Sequence, residues 1–304
     1  MKKIKFAAFA VAILAAALAL FSCAASSGGE NEDGKLTIIA TIFPQYDLAR
    51  AIAGDLANVS MMMSPETESH TYEPSLRDIA DVGASDIFIY TGSGLDEWAE
   101  DIAALFGDEV ISVSTADAVS LVLDDDGDEY DEHIWTSPKN AIKILNLILE
   151  AMVSADPENE AAYRENAEAY LSSLERLDLE FEAIAEALDG KTVVVADRFP
   201  FKYLFDDYGI DYIAALEGCS SDSEPSPAVI AEMITMVAED NIPCVYIVEF
   251  SEGKTASLIS EATGCRVLLL HSCHNVTAED LEGGVTYVEI MTENIESLRN
   301  LCDN

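Results

Sequence analysis

Positive charge is what this chain lacks most. It carries 16 Lys and Arg against 57 Asp and Glu, a formal charge of −41 over 304 residues. Such a surface repels phosphate backbones and anionic headgroups, which excludes nucleic acid as a partner. It attracts cations at long range, and it also serves plain solubility. Histidine is scarce, with four in all, and the six cysteines form no CxxC pair and no zinc-finger spacing. A thiolate metal site therefore has little support. No HExxH motif and no G-x-S-x-G elbow occur, so neither a zinc-dependent hydrolase nor a serine hydrolase is indicated. The chain reads as a binding protein, not an enzyme. Beyond the first 21 residues no apolar run is long enough to cross a bilayer.

The N-terminus has the pattern of an export signal. Lys2, Lys3 and Lys5 precede an apolar stretch, residues 6–21. That stretch is short and alanine-rich for a span of about 20 residues and fits the h-region of a signal peptide over residues 1–22. It ends in Leu20-Phe21-Ser22-Cys23, which resembles a bacterial lipobox. Cys23 is then the lipidated first residue of the mature chain, attached to the membrane by its lipid on the outer face or in the periplasm. An uncleaved N-terminal anchor is the alternative. Residues 23–35 are polar and glycine-rich, as a flexible tether would be.

From residue 36 short β-rich runs alternate with helical segments. Strands are expected at residues 36–41, 59–63, 86–90 and 110–113, then at 191–196, 211–215, 244–250 and 265–270. Helices fall near 43–53, 226–240, 254–263 and 289–301. This alternation predicts α/β lobes with mainly parallel sheets flanked by helices, one over residues 36–155 and one over 191–304. Between them, residues 156–190 predict one long rigid helix. Asp156-Pro157 reads as a side-chain cap with proline at the first position, and Gly190 as the stop. Tyr163, Ala167, Tyr170, Leu174, Leu177, Phe181, Ile184 and Leu188 mark its apolar stripe. The heptad-like spacing also suits a two-stranded coiled coil. A spine within a monomer is preferred, because α/β units flank it on both sides. The acidic run Asp124 to Glu132 reads as a solvated loop, with the funnelling of metal as the alternative role.

The four histidines each sit at an expected strand-to-helix junction, where open α/β sheets place their ligands. His70 stands in Ser69-His70-Thr-Tyr-Glu73-Pro74, and His133 in Asp131-Glu-His133-Ile-Trp135. His271 and His274 stand in His271-Ser-Cys273-His274. A lone histidine is usually an ordinary surface residue, but four at sheet C-termini, split between two lobes, point to shared work. Imidazoles with carboxylates suit a borderline-soft cation such as zinc. Calcium and magnesium call for oxygen alone, and copper(I) for sulfur.

These segments resemble the zinc- and manganese-binding lipoproteins of metal ABC importers, the cluster A-I group of solute-binding proteins. Thr41-Ile-Phe-Pro-Gln-Tyr-Asp47 resembles the family's first strand-to-helix turn. Ser69 to Asp78 and Asp131 to Asn140 resemble its first two ligand motifs, and Glu224-Pro-Ser-Pro227 and the long helix also match. The resemblance implies a metal held in the cleft between two lobes, limited hinge motion, and handover of zinc (alternatively manganese) to an ABC permease. It also brings in, at low rank, a surface adhesin. By the family's pattern His70 and His133 are ligands. The C-lobe departs from it: Asp197 stands where the family usually has histidine, and His274 where it usually has a carboxylate. The expected set is thus His70, His133, Asp197 and His274. His271 is a possible replacement or supporting residue, and Glu73 a supporting or capping one. Family resemblance further implies a Cys244–Cys302 disulfide. Cys219 and Cys273 are candidates for a second bridge, and Cys265 for a buried free thiol.

Overall fold

In each half of the chain, strands too short to stand alone line up in parallel. The computed structural model describes residues 34–124, 127, 129–216 and 224–302. Cys23 and Cys219 lie outside the described residues, so the lipid anchor and the second bridge have no structural reading. The first sheet holds β1 (Leu36–Ala40), β2 (Ala57–Met61), β3 (Ile87–Tyr90) and β4 (Ile111–Ser114), in the order β2-β1-β3-β4. The second holds β5 (Val193–Val195), β6 (Tyr212–Ala214), β7 (Cys244–Ile247) and β8 (Arg266–Leu269), in the order β6-β5-β7-β8. Every strand pairing in both sheets is parallel.

Helices cover both faces, which is why β3 and β5 are apolar and buried without a break. They are α1 (Phe43–Ala53), α2 (Leu76–Gly83), α3 (Glu97–Phe106), α4 (Pro138–Ala155), α5 (Glu160–Ala187), α6 (Lys202–Tyr208), α7 (Pro227–Glu239), α8 (Lys254–Thr263), α9 (Ala278–Gly283) and α10 (Tyr287–Arg299). None is long and apolar enough to cross a membrane. The period-2 alternation of strand side chains divides the core. Ile38 of β1 and Val193 and Val195 of β5 point into one continuous cluster with Leu174, Leu177 and Phe181 of the spine. Their neighbours Ile39 and Val194 point outward into two separate clusters, one per sheet. Both sheets therefore share an inner core built on α5.

The spine is about 42 Å long at 1.5 Å per residue. Its start differs from the expectation. Asp156 caps no helix N–H; a 3-10 turn at Pro157–Asn159 intervenes. The Asp156 carboxylate instead accepts the amide of Asn159 at 2.7 Å and the hydroxyl of Tyr163 at 2.9 Å. Tyr163 is fully buried, so its hydroxyl needs an acceptor, and Asp156 supplies one. Further along, Tyr170 donates to buried Asp47 of α1, which also accepts the Tyr287 N–H at 2.8 Å. One carboxylate thus ties α1, α5 and α10 together.

The expected Cys244–Cys302 bridge is not formed: both are free thiols, as are Cys265 and Cys273. Each sulfur is engaged locally, Cys244 with the Tyr246 hydroxyl at 3.4 Å and Cys302 with the Ala187 carbonyl at 3.6 Å.

Candidate metal centre

Three loops leave the C-terminal ends of the two sheets and meet. The first follows β2 and forms a 3-10 turn at Ser69–Thr71. The second precedes the turn Ile134–Thr136, and α4 then starts at Ser137, whose side chain accepts the Asn140 N–H. The acidic run before it is closed at its base by an antiparallel bridge between Leu123 and Tyr130. The third follows β8. There Cys273 is forced into the left-handed region at φ 64, a strained setting for a residue with a side chain. That kink lies directly before His274.

The loops bring together His70, His133 and His274, whose ligand atoms lie within 4.8 Å of one another. Their ring centroids stand 4.8–5.9 Å apart. Three nitrogens on one tetrahedral zinc stand about 3.3 Å apart, given bonds of about 2.0–2.1 Å. Ring rotations of modest size bring the trio onto a cation. His133 is 2% exposed and His274 11%, so water competes weakly for the position.

Each imidazole is held from behind through Nδ1. His70 Nδ1 lies 2.8 Å from Glu68 Oε1, and His133 Nδ1 lies 3.0 Å from Asp131 Oδ1. His274 Nδ1 meets the Ser272 hydroxyl, which donates to Glu249 Oε1, while Glu249 Oε2 accepts the Ser272 N–H at 2.7 Å. These acceptors assign the proton to Nδ1 in His133 and His274 and turn their Nε2 lone pairs inward, while His70 has a carboxylate at each nitrogen, Glu68 at Nδ1 and Glu132 2.9 Å from Nε2. His274 Nε2 is buried with no hydrogen-bond partner among the described residues.

Electrostatics agree with this arrangement. Burial, helped by the two neighbouring imidazoles, pushes His274 down to about 4, so it is neutral and ready to ligate. The hydrogen bond from His70 and the charge of Arg198 pull Glu68 down to about 2 against its partial burial. Burial raises Glu249, but His271, His274 and Ser272 outweigh it and hold the carboxyl below the ordinary range.

The other expected residues are placed differently. Asp197 follows β5 but stands outside the trio; its Oδ1 accepts the Arg198 N–H at 2.9 Å, and its Oδ2 is buried with no hydrogen-bond partner among the described residues. His271 is also outside. Its Nδ1 accepts the Cys273 N–H at 2.9 Å, and its own N–H donates to Asn294 at 2.7 Å, so it shapes the loop. Glu73 is exposed and apart from the trio. Sequence reasoning missed Glu68, Glu132 and Glu249. Glu249 had a signal, since it stands two residues past the C-terminal end of the parallel strand β7, where ligands gather. Glu132 had none, being one acid in a run of acids.

Two parallel α/β lobes on a single stiff helix, with imidazoles converging from both, define a metal-binding solute-binding protein. The chain belongs to the ZnuA family, described as zinc-uptake complex component A periplasmic, whose model matches residues 38–301. That family is a binding component of metal uptake and not an enzyme. The chain is 30% identical to zinc-binding lipoprotein AdcA of Streptococcus pneumoniae over 96% of its own length and 61% of the relative's. It thus spans about three-fifths of AdcA. High-affinity zinc uptake system protein ZnuA of Bacillus subtilis is 26% identical, with 95% of each chain covered. In structure, the Zn(II)-bound ZnuA-like domain of S. pneumoniae AdcA matches with a TM-score of 0.76 at 31% identity, covering 89% of this chain and 100% of that one. The laminin-binding protein Lmb of Streptococcus agalactiae matches at 0.78 and 26%, covering 88% and 100%.

Proposed function

We propose that this protein captures zinc outside the cytoplasm and hands it to the permease of an ABC importer. The observation that carries the reading is the trio His70, His133 and His274, each locked through Nδ1 and directed through Nε2 at a common point. Three nitrogens favour zinc over manganese, which prefers carboxylate and water. A carboxylate completes the four-coordinate set, and a closed set with no position for water suits carriage, not hydrolysis. Two carboxylates are candidates: Asp197, named by the sequence pattern, and Glu132, beside the trio. Export through residues 1–22, anchorage by a lipid on Cys23 and action as a monomer belong to the same proposal. The name of AdcA as a zinc-binding lipoprotein supports it.

Elemental analysis of protein purified without chelators tests the reading, followed by competition of zinc against manganese. One zinc per chain, not displaced by excess manganese, is expected. Manganese retained in preference to zinc would overturn the choice of metal.

A further inference from the structure

We propose that Glu132, and not Asp197, is the carboxylate donor that completes the metal site. The inference rests on the zinc-capture reading above. Five carboxylates stand in the loops around the imidazoles, and three of them are taken up in holding the rings from behind. Glu68 gives Oε1 to His70 Nδ1 and Oε2 to the Arg198 guanidinium at 3.2 Å. Asp131 Oδ1 takes the N–H of His133 at 2.9 Å and its Nδ1 at 3.0 Å. Both oxygens of Glu249 are bound to Ser272. Asp197 accepts the N–H of its neighbour through Oδ1, and its buried Oδ2 has no hydrogen-bond partner among the described residues, but it makes no ion-pair contact with any of the three rings. The first three orient imidazoles from behind; none stands on the side where the Nε2 atoms converge.

Among the described residues, Glu132 is the carboxylate in ion-pair range of an Nε2 atom. Its Oε1 lies 2.9 Å from His70 Nε2 and 3.9 Å from His133 Nε2. A carboxylate oxygen between two ring nitrogens occupies the place where a shared cation would draw it. The loop after β3 supplies the room. Gly94 has φ +73, and a Cβ built there would come 2.9 Å from Glu132 Oε2. The missing side chain lets the carboxylate lie flat against backbone and aim inward. The acidic run thus contributes its last member to the site. His70, Glu132 and His133 then come from one lobe and His274 from the other. Three of four donors ride on the N-lobe, so motion of the loop after β8 breaks one bond and leaves the cation on the N-lobe side.

The test compares Glu132→Gln, Asp197→Asn and His133→Ala with wild type, using zinc competition against a chromophoric chelator. Removal of an orienting residue lowers metal affinity by about 10–100-fold. Loss of a donor exceeds that range, so Glu132→Gln is expected to weaken zinc binding by more than about 100-fold, with Asp197→Asn close to wild type. Cobalt(II) loading gives a second readout that does not depend on the stability of one variant. Glu132→Cys should gain a thiolate-to-cobalt charge-transfer band, and Asp197→Cys should not. The proposal fails if Asp197→Asn loses zinc while Glu132→Gln keeps it, or if only Asp197→Cys shows the band. In either case zinc capture by the trio stands. Unchanged zinc binding by His133→Ala would instead remove the reading on which this inference rests.

Discussion

The indole N–H of Trp135 donates to the carbonyl of Ser272 at 2.8 Å, joining the turn that carries His133 to the loop that carries His274. Trp135 is buried, its ring lies 5.6 Å from that of His133 and 5.1 Å from that of His274, and its own carbonyl accepts the Tyr287 hydroxyl at 2.7 Å. One residue therefore sets the spacing between a proposed ligand of each lobe. Trp135→Phe keeps an aromatic ring but strands a buried carbonyl, which costs about 1–3 kcal/mol. Denaturant titration should show that loss, and zinc titration a weaker affinity. Unchanged zinc affinity in a destabilised variant would make Trp135 structural only.

Ser272 and Glu249 are expected to act on zinc through His274. Ser272→Ala removes the acceptor of His274 Nδ1, and Glu249→Gln weakens the hold on Ser272. Each should lower zinc affinity by about 10–100-fold, the usual effect of losing a residue that orients a metal ligand. Competition titration measures this, with circular dichroism to show that the fold persists. Affinity equal to wild type in both variants would mean that the kink at Cys273 alone aims His274.

Asp47 offers the contrast. It binds α5 and α10 but touches no imidazole. Asp47→Ala should lower stability by about 1–3 kcal/mol or more, through the unpaired groups left inside. Zinc affinity of the folded fraction should be unchanged. A large fall in affinity would show that the packing of α10 on α1 controls the cleft.

Acid should loosen the metal-free protein in a defined window. His274 titrates near 4 when folded, against an ordinary value of 6.5. Between those values the unfolded chain binds a proton that folded His274 refuses, so stability is full above about pH 6.5 and falls as pH drops toward 4. Glu249 and Glu68 are both held below their ordinary value of 4.5, so they add to the loss below that pH with the same sign. Denaturant midpoints in chelator at pH 7, 5.5 and 4.5 should decline in that order. Zinc at pH 7 should raise the midpoint, and the gain should shrink in acid, because bound imidazoles must be neutral.

The architecture was legible because its signals are local. Strand runs such as Ile87–Tyr90 and the 4-3 stripe of Tyr163 to Leu188 follow from periodicity, and the structure places elements there. His70 and His133 stood out because histidine is rare in this chain and each follows a strand, and the structure brings the two together with His274. The carboxylates were not. With 57 acidic residues, nothing in the sequence separates Glu132 from the solvated acids before it. Its difference arises only when the Gly94 loop folds against it. Asp197 drew attention by its position after β5; its first oxygen turns back to the Arg198 N–H, and its second is buried with no hydrogen-bond partner among the described residues. The start of the spine did mislead: Asp156 has the form of a cap, but a tyrosine one helical turn past the start of α5 claims its side chain. Long-range partners decide such cases, and they lie beyond any local pattern.

The central claim is that His70, His133 and His274 together hold one zinc ion. Calorimetric zinc titration of the metal-free protein, wild type beside His70→Ala, His133→Ala and His274→Ala, tests it most directly. One tight site in wild type, lost in each of the three variants, is the expected result. Tight one-to-one zinc binding that survives in all three would contradict it.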